Sequence, residues 1–175
     1  MYKRILAIVP GAYESAYCTF DFEAFQVYSS GVLENDDLLI GLGCAPHTCR
    51  EWDCGLVIQT DAKPFVFGHG MGLETAVWIG RFTQAWRAPN DVKRIRQSDV
   101  GRFMTGSTVV DVGDYPQRIR EIFRGAPGDV LKDVKGNAWE ALAVALTAYQ
   151  RASDVVYHFN RPSWNIPGQT EKSSD

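Results

Sequence analysis

The chain has 175 residues, of which 45% are hydrophobic and 22% charged, with a net charge of −3. This is the composition of an ordinary globular domain, long enough to build a core without disulfides or a structural metal, and it excludes a polycation that coats nucleic acid unselectively. No apolar run reaches the roughly 20 residues that cross a bilayer, and Ile5 to Val9 is too short for a signal-peptide core, so a cytoplasmic protein is expected.

Residues 4–9, Arg-Ile-Leu-Ala-Ile-Val, are apolar and β-branched enough for a central strand, and Pro10-Gly11 stops it. Residues 15–22 and 25–31 alternate apolar or aromatic with small or polar side chains and predict the two arms of an antiparallel hairpin. Asn35-Asp36-Asp37 can cap a short helix through Leu38, Leu39, Ile40 and Leu42, which Gly41 and Gly43 weaken and Pro46 ends. Residues 55–60 predict a second buried strand. Gly68 to Gly72 predicts a flexible loop, a turn or a backbone that approaches a phosphate.

A helix over 73–86 follows, with Leu73, Ala76, Val77, Gly80, Thr83 and Trp86 recurring on its expected inner face. Asp91 to Ile95 predicts a short edge strand, followed by helices near 98–103 and 115–123. Lys135-Gly136-Asn137 opens a last helix over 137–150, with Trp139, Leu142, Ala143 and Leu146 as its apolar stripe. Residues 153–175, rich in Pro, Gly and Ser beyond Arg161, are expected to form a partly mobile extension to a single domain over 1–152. There is no internal repeat, and the order of elements is that of an α/β protein with a mixed sheet.

Charge is uneven along the chain. Residues 1–61 carry three Lys/Arg against nine acids, and residues 81–135 carry eleven against seven. Lys93, Arg94, Arg96 and Arg102 in the basic half are the candidate phosphate contacts, the alternative being a solvated face of mixed charge or an edge strand protected from aggregation. Cys44, Cys49 and Cys54, with His47 between the first two, are too widely spaced for the usual zinc knuckle, so they and Cys18 are expected as thiols. Trp78, Trp86 and Trp139 fall on helical periods and are expected in the core or an interface, whereas Trp52 and Trp164 sit in irregular segments. Arg81 and Gln84 fall outside the apolar stripe and are free to face a partner or a phosphate. Ser153 and His158 show no nucleophile–base spacing.

Four segments together resemble the RuvC-type Holliday-junction resolvases, above all their phage-encoded branch. They are the opening strand with its Pro-Gly turn, Ser30-Gly31-Val32-Leu33, the stretch from Glu74 to Trp86, and Trp139 to Leu146. The resemblance covers most of residues 4–150. It implies a ribonuclease H-like fold, a mixed five-stranded sheet flanked by helices with strands one to three antiparallel and later strands parallel to the first. It also implies a tendency to dimerise and an affinity for branched or duplex DNA.

In active members of that family four acids gather two divalent cations, which generate hydroxide and stabilise charge on the scissile phosphate. The resemblance maps those acids onto Val9, Gln59, Asn137 and Glu140, so Glu140 alone keeps a carboxylate. Valine offers no ligand, and the two amides keep shape and hydrogen-bonding capacity without the charge. The expectation is a degenerate domain with no metal cofactor, binding DNA or acting as a protein scaffold, including a structural component of a phage located in the host cytoplasm or the virion. The alternative is an active Mg²⁺- or Mn²⁺-dependent endonuclease using a shifted site of Asp61 and Glu140, with Glu14 or His69 as helper. A purely structural protein without a nucleic-acid role is the third reading.

Overall fold

The computed structural model describes residues 3–48, 55–60, 70–108, 111–124, 126 and 129–156. Its sheet contains β1 (Arg4–Val9), β2 (Glu14–Asp21), β3 (Gln26–Glu34), β4 (Gly55–Thr60) and β5 (Lys93–Arg96), in the spatial order β3-β2-β1-β4-β5. The first three strands are antiparallel neighbours, and β4 and β5 run parallel to β1. Among the described residues five α-helices cover it: α1 (Asn35–Thr48), α2 (Gly70–Ala85), α3 (Gln97–Thr105), α4 (Tyr115–Ile122) and α5 (Ala138–Val156). The expected α/β architecture is therefore present. No described helix is long and apolar enough to cross a membrane.

β1 is apolar throughout because both of its faces are covered. Ile5 and Ala7 point into a core shared with Ala16, Cys18, Phe20, Val57 and Ile95 and closed by α3, α4 and α5. Leu6 and Ile8 point the other way, into a core closed by Leu38 and Leu42 of α1 and by Trp78, Phe82 and Trp86 on and just beyond α2. Cα partners along β1 and β4 end at Ile8 and Ile58, which sets Val9 beside Gln59 at the carboxyl ends of the two central strands.

The turn after β1 is tied to the start of α1. A Cβ on Gly11 would lie 2.3 Å from the Glu14 carbonyl oxygen, so only glycine fits there. The Gly11 amide donates to Ser15 Oγ at 3.3 Å, the Ser15 hydroxyl donates to Asn35 Oδ1 at 2.5 Å, and Asn35 Nδ2 donates to the Gly11 carbonyl at 3.1 Å. Asn35 was expected to cap its own helix; its side chain instead braces the turn that ends β1.

Several elements depart from their expected limits. α1 continues to Thr48, past Pro46, because a proline in a last turn removes only one backbone bond. α2 begins at Gly70, inside the expected glycine loop, and α5 runs to Val156 rather than 150. The inner face of α2 also differs. Trp78 and Phe82, one helical turn apart, and Trp86 just past the helix are buried, whereas Leu73 and Val77 are 55% and 44% exposed. Aromatic rings bury more area than Leu or Val, so the aromatic row claims the core and rotates the expected stripe toward solvent. Trp78 and Trp86 are core residues as expected, and Trp139 is half-buried. Arg81 and Gln84 face solvent, the Arg81 guanidinium lying 4.7 Å from the Trp78 ring centre. Trp52, Trp164, His158 and residues 157–175 lie outside the described residues, as does the side chain of Ser153.

Asn35→Ala is expected to destabilise the protein by about 2 kcal/mol, because it strands the Ser15 hydroxyl and the Gly11 carbonyl. Urea denaturation checks this; an unchanged midpoint would show that the brace contributes nothing.

Candidate functional site

The carboxyl ends of β1 and β4 meet the first turn of α5. Gly136, at φ 52°, and a series of short turns lead into that helix, where the Ala138, Trp139 and Glu140 amides donate to the carbonyls of Lys135, Gly136 and Asn137. Glu140 lies in the first turn, where the helix dipole favours a negative charge. Gln59, 5% exposed, reaches across from β4 and donates through Nε2 to Glu140 Oε1 at 2.8 Å. Val9 packs against the same core beside Gln59. Asn137 stands exposed just before α5, three residues ahead of Glu140. The fold thus brings Val9, Gln59 and Glu140 to one place, with Asn137 at its rim.

The donor set does not suit a pair of divalent cations. It carries one carboxylate, which already accepts a hydrogen bond from a neutral amide. A cation placed on that oxygen would meet the amide N–H, and Val9 adds an apolar wall. Among the described residues no group of three or more His, Cys, Asp or Glu side chains is placed to hold a metal. Asp61, the expected surrogate, and His69, an expected helper, lie outside the described residues, and Glu14, the other helper, is exposed at the start of β2. Cys18 is buried and Cys44 exposed, both as free thiols; Cys49, Cys54 and the side chain of His47 lie outside the described residues.

Two buried atoms here have no hydrogen-bond partner among the described residues: Gln59 Oε1 and the Tyr115 hydroxyl. Tyr115 opens α4 and is fully buried. Burial, reinforced by the Glu140 charge, pushes its pKa above the ordinary value of 10.0 and keeps it neutral. Its place beside Glu140 was missed from sequence, where it read only as the start of a helix. Arg120 was also passed over as a site residue: its guanidinium sits 4.9 Å from the Trp139 ring centre, one residue before Glu140.

The candidate phosphate contacts are exposed and lie one strand away. Gln59 pairs with Ile95 and Thr60 with Arg96. Ile95 enters the core beneath α5, so Lys93 shares that face by strand alternation, while Arg94 and Arg96 turn to the other face. Arg102 is exposed on α3, the helix that follows.

A mixed five-stranded sheet in this order, covered by helices on both faces, defines the chain as a ribonuclease H-like α/β protein with its candidate site at the ends of the central strands. The fold is similar to that of RuvC structures. The structure is similar to Thermus thermophilus RuvC in complex with a Holliday-junction substrate, with a TM-score of 0.64 and 12% identity over 86% of this chain and 96% of that one. It is similar to a second Thermus thermophilus RuvC structure, with a TM-score of 0.63 and 13% identity over 87% and 96% of the two chains. No family model and no curated protein sequence matches the chain. At this identity the likeness establishes the fold.

Because the folded state holds the Tyr115 proton more tightly than the unfolded chain, stability is complete below the ordinary tyrosine value and is lost as pH rises through it. Cys18, whose pKa burial also raises from its ordinary 9.0, contributes in the same direction. Tyr115→Phe is expected to retain more of its melting temperature above pH 10 than the parent, and to be at least as stable at neutral pH, having lost an unpaired buried hydroxyl. An identical alkaline loss in both proteins would contradict this.

Proposed function

We propose that this chain is a catalytically silent domain of the RuvC resolvase type that binds branched or duplex DNA without cutting it. The observation that carries this reading is the Gln59–Glu140 hydrogen bond, which puts a neutral amide on the one carboxylate remaining among the mapped positions. Two-metal hydrolysis needs carboxylates to bring two dications together, and here attraction for the ions has been replaced by a neutral contact. The domain requires no Mg²⁺ or Mn²⁺ for its role.

DNA binding is supported by the exposed basic residues beside the site. Lys93 shares the site's face at the β5 edge, Arg94 and Arg96 lie on the other face of that edge, Arg102 is on α3, and Arg120 and Lys135 are near the start of α5. The neighbouring RuvC structure holds a Holliday-junction substrate on the same fold. A homodimer is supported by the outer face of α2, where Leu73, Ala76, Val77 and Gly80 are exposed together. A protein scaffold, including one in a phage particle, is the reading that remains if DNA does not bind.

Incubation with a four-way junction in Mg²⁺ or Mn²⁺ is expected to give a shifted complex and no nicked product. Replacing Lys93, Arg94, Arg96 and Arg102 with alanine should weaken binding and flatten its salt dependence by roughly 0.9 in log–log slope per lost phosphate contact. Nicking abolished by Glu140→Ala would overturn the silent assignment, and no binding at low salt would overturn the DNA-binding one.

A further inference from the structure

On the sheet face opposite Gln59 and Glu140, β2, β3 and the start of α1 enclose a cleft of about 110 Å³ open to solvent. Tyr17, Tyr28 and Leu33 wall it, with Leu38 at its base and Asp37 among its lining residues. Two glycines help keep it open. Gly31 leaves one side of the Tyr17 ring uncovered, and a Cβ on Gly41 would meet nothing within 4 Å. Gly41 therefore sits within α1 at a cost of about 1 kcal/mol relative to alanine, with no close packing that requires it.

The chemistry of the cleft is that of a receptor for a cation. The exposed Asp37 carboxylate makes no hydrogen bond or ion pair among the described residues. Tyr17 and Ser29 are joined through their hydroxyls at 3.2 Å, which offers oxygen acceptors beside an aromatic face. Tyr28 is held by Arg4, whose guanidinium lies 4.5 Å from the ring centre, donates to the Tyr28 hydroxyl at 3.1 Å and is anchored on Asp21 at 2.6 Å. An apolar wall, aromatic rings and one unpaired carboxylate suit the aliphatic stem and charged head of a long basic side chain. The surroundings point to a polypeptide rather than a free amino acid. Tyr28 and Leu33 on the outermost strand are about 40% exposed and Ile40 on α1 is 63% exposed, an apolar border around a charged centre. Glu34 and Asp36 are exposed alongside, so the region repels acids and nucleic acid.

We infer that this cleft docks an arginine or lysine side chain from a partner polypeptide. The inference is independent of the DNA-binding proposal, because the cleft lies at the β3 edge of the sheet and the basic residues at the β5 edge.

The test uses the full chain and an acetylated, amidated pentapeptide with a central arginine flanked by leucines, followed through backbone amide NMR shifts. Shifts are expected at Gly31, Leu33 and Gly41. Asp37→Asn, and citrulline in place of the arginine, should each weaken binding by about tenfold, the scale of one charge-assisted contact. Gly41→Leu should abolish binding while raising the melting temperature, which separates a filled cleft from a damaged fold. Junction binding should be unchanged in Asp37→Asn. Equal affinity for the arginine and citrulline peptides, shifts elsewhere, or no shifts at millimolar peptide would overturn the assignment. Free arginine binding as tightly as the peptide would overturn the polypeptide partner.

Discussion

The hydrogen bond from Gln59 to Glu140 joins the two parts of the fold on which everything else at the site rests. β4 is a central strand, α5 is the helix that closes one core, and their polar contact sits where strand ends and helix start converge. With glutamate in place of glutamine, two carboxylates would face each other in a partly buried place, and a cation or a shared proton would be needed to relieve the repulsion. The amide removes that need. The Glu140 carboxylate is instead met by a group of the protein itself, and Val9 beside it adds hydrocarbon to the same region.

The same substitution leaves a trace. Gln59 Oε1 and the Tyr115 hydroxyl are buried without partners among the described residues, although buried polar atoms are nearly always paired. The Gln59 amide is satisfied on its Nε2 side only, through Glu140. Tyr115 stays neutral because burial and the adjacent carboxylate both oppose its ionisation.

Much of this was legible in the sequence because local pattern carried it. The unbroken apolar run of β1, the alternation in the hairpin and the Pro-Gly stop each determine one element, and their order determines the mixed sheet. The likeness of short segments was enough to bring Val9, Gln59 and Glu140 together in expectation before any geometry was known. What stayed hidden depends on competition between faces. The α2 sequence offers two stripes of similar hydropathy, and only packing against the sheet shows that Trp78, Phe82 and Trp86 win over Leu73 and Val77. Tyr115 and Arg120 reach the site from a helix with no motif of its own. The role of Asn35 as a brace, and the cleft behind β3, arise where residues distant in sequence come together, which no local period records.

The two ends of the sheet differ in character. β5 presents Lys93, Arg94 and Arg96, whereas β3 and the start of α1 present Glu34, Asp36 and Asp37. The basic and acidic side chains thus lie at opposite edges of the sheet, β5 and β3.

Equilibrium titration with Mn²⁺, followed by the loss of the free-ion electron paramagnetic resonance signal, tests the central claim most directly. The protein as it stands should leave the free-ion signal unchanged at sub-millimolar Mn²⁺, and the Val9→Asp, Gln59→Glu, Asn137→Asp triple variant should acquire sites that take it up. Stoichiometric binding of two ions by the unaltered chain, lost in Glu140→Ala, would contradict the account.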